Sequence, residues 1–307
     1  MLLLLPLPLP LLDGCPVLHT RTVRRIALLS DVHANLEALE AVLRDVESHK
    51  PDVVAVLGDV INYGPNPREC LTLIAVHADI LIAGNHEKEA AQPDPDEMED
   101  DAREMLVWTL SQISGLRTWE RLAAAIHRDG PLAAQYRLDG LHFVHASAQK
   151  PYQQYVWPGH PQHHIQLNQQ LDQYLTELLA GFDALHSFVG HTHVPAVLMS
   201  YTDRALCPMR PDWNRRLTFT GPQSLFFVPS ADCRLEGIDG KKLVINPGSV
   251  GQPRDGDPRA SWALYDGDQL LFRRVTYDVQ TTVDKLQRLP LTEETRSFFA
   301  TRLPLGT

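Results

Sequence analysis

The sequence has few of the features that mark disulfide-rich, secreted or membrane-bound proteins. Its 307 residues contain 4 cysteines, Cys15, Cys70, Cys207 and Cys233, and no CxxC pair. A disulfide framework is therefore not expected, and we predict ordinary thiols in a reducing cytoplasm, with Cys70 packed on an apolar helix face. The apolar start, residues 1–12, has no basic segment before it and is shorter than the roughly 20 residues of a membrane span. This argues against a membrane partner.

Positive charge is also scarce. Lysine and arginine total 28 against 38 aspartates and glutamates, a formal net charge of -10. A protein that binds duplex nucleic acid needs a basic surface for the phosphates, so that partner is not expected. Nucleotides and short oligonucleotides stay open, because bound metal ions would supply local positive charge.

Five short polar clusters each follow an apolar run with the length of a buried strand. The clusters are Asp31-Val32-His33, Gly58-Asp59, Gly84-Asn85-His86-Glu87, Val144-His145-Ala146 and Gly190-His191-Thr192-His193. Strands of an open α/β sheet gather such side chains at their carboxyl ends, so the clusters are expected to meet. Helix caps and core histidines are the alternative, but that explanation would have to hold separately at every cluster. The mixture of oxygen and imidazole donors instead suits two divalent transition metal ions.

The order of these clusters closely resembles that of the calcineurin-like metallophosphoesterase superfamily, with DxH, GDxxxxG, GNH(D/E), a lone histidine and GHxH. The resemblance spans about Arg25 to Tyr277, and Asn246 to Arg254 is similar to the closing motif of small prokaryotic members. It implies an α/β (α+β) fold in which a two-sheet β sandwich is flanked by helices in α/β/β/α layers. The implied activity is that of a phosphodiesterase of the small prokaryotic branch.

The resemblance also implies a role for each polar side chain. One metal ion would be held by Asp31, His33 and His193, the other by Asn85, His145 and His191, with Asp59 between them. A bridging carboxylate offsets the repulsion between cations about 3.5–4 Å apart. The histidines favour manganese, with iron, zinc or nickel as alternatives, over magnesium.

The chemistry that the family performs assigns the catalytic residues. A hydroxide that bridges the two metals would attack phosphorus in line, and His86 would give a proton to the leaving alkoxide. Glu87 is expected to help orient His86. The resemblance thus implies two catalytic residues, His86 and Asp59. In the alternative interpretation, His86 is not the proton donor and only supports a neighbouring side chain of the site.

The substrate prediction depends on two missing arginines. Protein phosphatases carry GDxVDRG and GNHExR, whereas this chain has Tyr63 at the first arginine position and ends its second motif with Lys88-Glu89. A diester carries one charge and needs no bidentate guanidinium, so we expect a small nucleotide-type phosphodiester bound by Tyr63 and Arg254. A surface role for Arg254 is equally open. The alternatives are a phosphomonoesterase, of the protein phosphatase or dinucleoside polyphosphate hydrolase type, and a non-catalytic binding scaffold.

Periodicity predicts the order of the elements. The chain begins βαβαβ, which predicts parallel strands, and the residues from Met105 to Ile126 are then expected to be helical. Asp139-Gly140 predicts a hairpin that leads to His145. Later strands are predicted at Ala196–Tyr201, Leu225–Val228, Lys242–Asn246, Trp262–Tyr265 and Leu270–Tyr277. The resemblance implies that these strands build the second sheet.

The expected organisation is one catalytic domain, residues 23–278. Residues 1–22 are predicted to be a disordered leader or a misassigned start, and 279–307 a helical extension that covers an edge or joins two subunits of a homo-oligomer. Insertions are expected near 88–130, 150–185 and 202–223. The second of these insertions forms either an aromatic wall for the substrate or a self-packed loop with surface histidines; its residues are Tyr152, Tyr155, Trp157, His160, His163 and His164.

Overall fold

Two β-sheets face each other, and helices cover their outer surfaces, as the resemblance implies. The computed structural model describes residues 25–93, 100–157, 169–200, 219–220, 222–229 and 231–307. Side chains from both sheets meet between them, among them Ile26 and Leu28 from one sheet and Phe143 and Phe188 from the other. The fold class predicted from the sequence is confirmed.

The first sheet has six strands. In spatial order they are β10 Arg234–Glu236, β13 Gln269–Val275, β12 Ala260–Tyr265, β1 Ile26–Leu29, β2 Val53–Val56 and β3 Ile80–Leu81. The pairs β1–β2 and β2–β3 are parallel, which confirms the predicted βαβαβ start. The assignment of β12 and β13 to the second sheet is wrong, because β12 pairs antiparallel with β1. Their hairpin extends the first sheet.

The second sheet has seven strands in the described chain. In spatial order they are β4 Gln135–Leu138, β5 Leu141–Val144, β6 His186–Phe188, β11 Leu243–Pro247, β7 Pro195–Ser200, β9 Ser224–Phe227 and β8 Phe219–Thr220. Asp139 and Gly140 both have positive φ, at 48° and 81°. This is the mirror-image turn that a two-residue hairpin needs, so the predicted β4–β5 hairpin is confirmed.

Helices pack on both outer faces. They are α1 Leu36–His49, α2 Pro67–His77, α3 Asn85–Ala91, α4 Asp100–Ile113, α5 Arg117–Asp129, α6 Gln169–Gly181, α7 Val279–Leu286 and α8 Glu293–Arg302. The helical stretch predicted over Met105 to Ile126 is divided between α4 and α5, because Gly115 has φ of +74° and separates the two helices. Cys70 is buried in the core beside α1, as predicted. None of the helices in the described ranges has the length and apolar composition needed to cross a bilayer.

The C-terminal helices pack on their own chain. Thr282 in α7 donates a hydrogen bond to Asn35, which caps the start of α1 (3.1 Å). Phe299 in α8 lies in an apolar cluster with Met105 of α4 and with Tyr63. This segment therefore covers the loop that carries Tyr63.

Candidate metal centre

The predicted polar clusters converge where strands of both sheets end. Asp31 and His33 follow β1, Asp59 follows β2, and Asn85 and His86 begin α3 directly after β3 and Gly84. His145 follows β5, while His191 and His193 lie between β6 and β7. Each sheet therefore contributes side chains to the same cluster.

Two groups of buried side chains are close enough to hold one cation each. The first group consists of Asp31, His33, Asp59 and His193, and the second of Asp59, His145 and His191. Within each group one ligand atom per residue lies within 4.8 Å of the others. Asp59 belongs to both groups, as expected for a bridging carboxylate. Asn85 adjoins the second group, because its Oδ1 lies 3.1 Å from Nε2 of His145.

Backbone carbonyls fix the orientation of three of the imidazoles. Nδ1 of His33, His145 and His193 lies 3.3, 2.6 and 2.7 Å from the carbonyl oxygens of Ile61, Leu57 and Gln252, respectively. A carbonyl oxygen only accepts, so each Nδ1 must donate its proton. Nε2 of each ring therefore faces the centre and offers a lone pair whenever it carries no proton, as in metal-binding histidines.

The resulting donor set fits metal ions. Nε2 of His33 and Nε2 of His193 are 3.0 Å apart, and burial holds the pKa of both rings well below the usual value. Oδ2 of Asp59 is buried without a hydrogen-bond partner in the described chain. Lone pairs that face each other in a buried site repel unless a cation or proton lies between them. Two shared cations would satisfy these atoms.

Charge is also concentrated at the centre. Burial disfavours the imidazolium of His145, yet the neighbouring Asp59 carboxylate outweighs it and raises the pKa to about 9. Burial raises the pKa of Asp31 to about 7. Burial, together with the charge of His145, lowers the pKa of His191 to about 3. A cation would displace the proton of His145 and take over its interaction with Asp59.

The loops that carry these side chains have an unusual backbone. Of the eleven non-glycine residues with positive φ in the described chain, eight lie here: Asp31, His33, Ala34, Asp59, Asn62, Tyr63, His191 and His193. Such conformations cost roughly 1–3 kcal/mol each and gather at functional sites. Gly84 is required for a different reason, since a Cβ there would lie 2.1 Å from Oδ1 of Asp59.

Glu87 holds the turn after β2 rather than His86, so its predicted role is wrong. Its Oε2 accepts from the backbone N–H of Asp59 and Gly84, at 2.8 and 2.7 Å. Its Oε1 accepts from the N–H of Val60 and Ile61, at 2.8 and 3.1 Å. Glu87 thus ties the Asp59 turn to the start of α3.

His86 is oriented by Asn62 and Glu89. Nδ2 of Asn62 lies 3.0 Å from Nδ1 of His86, and Oε2 of Glu89 lies 3.4 Å from the same atom. The backbone N–H of His86 donates to Oδ1 of Asp59 (3.0 Å). Asn62 was not predicted; the signal for it was its position three residues after Asp59.

The segment Asn246 to Arg254 joins the loops of the two sheets. The Asn246 amide donates to the carbonyl oxygen of Gly190 (2.7 Å), and the Ser249 hydroxyl donates to that of Asp31 (2.7 Å). The motif noted in the sequence thus fixes two ligand-bearing loops relative to each other.

Two tyrosines lie against the candidate ligands. Tyr63 stacks on His33, with ring centroids 4.7 Å apart, and Phe299 covers the other face of Tyr63 at 5.0 Å. Tyr155 is half-buried and stacks on His191 at 4.2 Å. Burial raises the pKa of Tyr63 well above its ordinary value.

The other residues that were predicted to contact the substrate lie in different surroundings. Arg254 adjoins the centre: its backbone N–H donates to the carbonyl oxygen of His193 (3.2 Å). Burial raises the pKa of Asp31, and the charge of Arg254 opposes that rise in small part. Tyr152 and Trp157 are buried, which matches the self-packed alternative for that loop. His160, His163 and His164 lie outside the described residues, as does most of 202–223.

Comparisons with known proteins agree with this geometry. A family model for calcineurin-like phosphoesterases matches residues 24–195. The crystal structure of a metallophosphoesterase from Sphaerobacter thermophilus matches with 31% sequence identity and a TM-score of 0.69, covering 93% of this chain and 100% of its own. An uncharacterized protein of Methanocaldococcus jannaschii is 28% identical over 275 residues, which are 86% of this chain and 93% of that protein.

Proposed function

The chain belongs to the calcineurin-like phosphoesterase family, and from this we propose that it hydrolyses small phosphodiesters with two divalent transition metal ions. The observation that carries the proposal is the pair of buried ligand groups that share Asp59. Asp31, His33 and His193 hold one ion with Asp59, and Asn85, His145 and His191 hold the other. The imidazoles favour manganese over magnesium.

When bound, two such ions supply Lewis acidity towards the phosphoryl oxygens and activate a water for in-line attack. The protein's own contribution is a proton. Asn62 and Glu89 both lie beside Nδ1 of His86, at 3.0 and 3.4 Å, which leaves Nε2 as the ring atom to face the substrate. His86 would donate a proton from Nε2 to the leaving alkoxide, a step typically worth about 10²–10⁴ in rate.

The surroundings favour a diester. The loop after Asp59 offers the ring of Tyr63, held between His33 and Phe299, instead of a guanidinium that would clamp a dianion. Arg254 supplies one positive charge from the opposite loop. Tyr155 offers a half-buried ring for an aromatic leaving group, which supports a nucleotide-type substrate.

A phosphomonoesterase is the second candidate, because Arg254 adjoins the candidate ligands and could pair with a dianionic phosphoryl group. For either activity we propose a cytoplasmic enzyme without a duplex nucleic-acid partner. Cys70 is a buried thiol outside any disulfide of the described chain, as suits a reducing compartment. A homo-oligomer remains a prediction.

Rates on two matched aryl esters test the proposal. We expect manganese-loaded protein to show a higher kcat/KM for bis(4-nitrophenyl) phosphate than for 4-nitrophenyl phosphate. Chelator-treated protein is the control, and manganese should restore its activity. A higher kcat/KM for the monoester would contradict the diesterase assignment and favour the second candidate.

A further inference from the structure

Glu89 places a partly exposed negative charge beside the candidate metal centre. It lies in α3, three and four residues after His86 and Asn85, and this spacing puts all three on one helix face. Its side chain is 39% exposed, whereas that of His86 is 8% exposed. Glu89 is therefore the more accessible of the two groups to an arriving substrate.

The Glu89 carboxylate contacts both neighbours. Oε1 accepts a hydrogen bond from Nδ2 of Asn85 (3.2 Å), and Oε2 lies 3.4 Å from Nδ1 of His86. Because Nδ2 of Asn85 is held by Glu89, Oδ1 of Asn85 turns towards His145 and the second ligand group. The Glu89 side chain thus contacts a proposed ligand, Asn85, and the proposed proton donor, His86.

We propose that Glu89 determines specificity by charge, disfavouring substrates whose phosphoryl group carries two negative charges. A carboxylate beside the candidate metal centre repels a dianionic monoester more than a monoanionic diester, because the Coulomb energy scales with the substrate charge. Glu89 contacts Asn85, which adjoins the second ligand group, and it is separated from the first group by His86, whose ring packs on His33. This inference rests on the proposed phosphoesterase function and adds the reason for its diester preference.

Glu89→Gln tests the charge with little change of shape. Glutamine keeps an oxygen that can accept from Asn85, so the orientation of that amide can persist. We expect the monoester-to-diester ratio of kcat/KM to rise about tenfold, which corresponds to ~1.4 kcal/mol. The rise should shrink in about 0.5 M sodium chloride, because the carboxylate is partly exposed to solvent. Glu236→Gln removes the same charge from the edge strand β10 and should leave the ratio unchanged.

Binding of inorganic phosphate gives a second measurement that needs no turnover. At about pH 8 phosphate is mainly a dianion, since its second pKa is about 6–7. Calorimetry on manganese-loaded protein should show about tenfold tighter phosphate binding in Glu89→Gln than in the wild type.

The outcomes separate this inference from the proposed function. A monoester preference in the wild type contradicts the diesterase assignment, whereas the change in ratio and in phosphate affinity tests Glu89. Equal losses on both esters in Glu89→Gln, with unchanged phosphate affinity, would show that Glu89 only positions Asn85 and His86. Unchanged rates and affinity would likewise overturn the inference.

Discussion

Replacing Glu87 by glutamine should destabilise the turn that carries Asp59. The carboxylate accepts four backbone hydrogen bonds, two on each oxygen, from the N–H groups of Asp59, Gly84, Val60 and Ile61. Glutamine replaces one of these oxygens with an NH₂ group, which donates and cannot accept. Two buried N–H groups would then lose their acceptor and face another donor.

The cost follows from the two unsatisfied donors. A buried donor without a partner costs about 1–3 kcal/mol, so the pair costs about 2–6 kcal/mol. Burial raises the pKa of Glu87, which means that its charge is itself unfavourable and that its removal offsets part of this cost. We therefore expect the free energy of unfolding to fall by about 2–3 kcal/mol.

Urea unfolding in the presence of a chelator measures this loss without a contribution from bound metal. Glu236→Gln, on the surface of β10, is the matched control and should change the free energy of unfolding by less than about 0.5 kcal/mol. If Glu87→Gln were as stable as this control, the four hydrogen bonds would not hold the turn and the reasoning would fail. Manganese affinity should fall in parallel, because Asp59 moves with the turn.

Three further predictions concern the ligands, the proton donor and pH. Asp59→Asn should lower the manganese content of both proposed sites in elemental analysis, and a wild-type metal content would exclude the bridge. His86→Asn should keep its metal but lose about 10²–10⁴ in kcat, and loss of metal would give His86 another role. Burial lowers the pKa of His142 to about 4. As the pH falls from about 6.5 to 4, the free energy of unfolding should therefore fall by about 1–2 kcal/mol more in the wild type than in His142→Asn. This value is smaller than the full pKa shift would give, because solvent screens part of the effect. Parallel pH profiles of the two proteins in urea unfolding would contradict this.

The convergence of the polar side chains could be predicted from the sequence because each cluster follows an apolar strand. Strand ends bring distant residues together, so a local pattern was sufficient for residues as far apart as Asp31 and His193. Their role as ligands remains a prediction from the family pattern. The β4–β5 hairpin was equally accessible, because Asp139-Gly140 alone specifies the turn.

The remaining errors concern long-range choices that local patterns leave open. An apolar run such as β12 fits either sheet, and only its pairing with β1 decides the matter. Glu87 was expected to act on the residue beside it, whereas its hydrogen-bond partners include Val60 and Ile61, more than twenty residues away. The break between α4 and α5 lies inside the stretch predicted to be helical, and Gly115 is its local signal.

The origin of the ligand groups in both sheets has a mechanical consequence. Each group combines side chains after β1, β2 or β3 with side chains after β5 or β6. A bound ion would therefore link the two halves of the sandwich, and pulling the halves apart would break its bonds to one of them. Manganese should accordingly raise the free energy of unfolding, because the unfolded chain does not present this set of ligands.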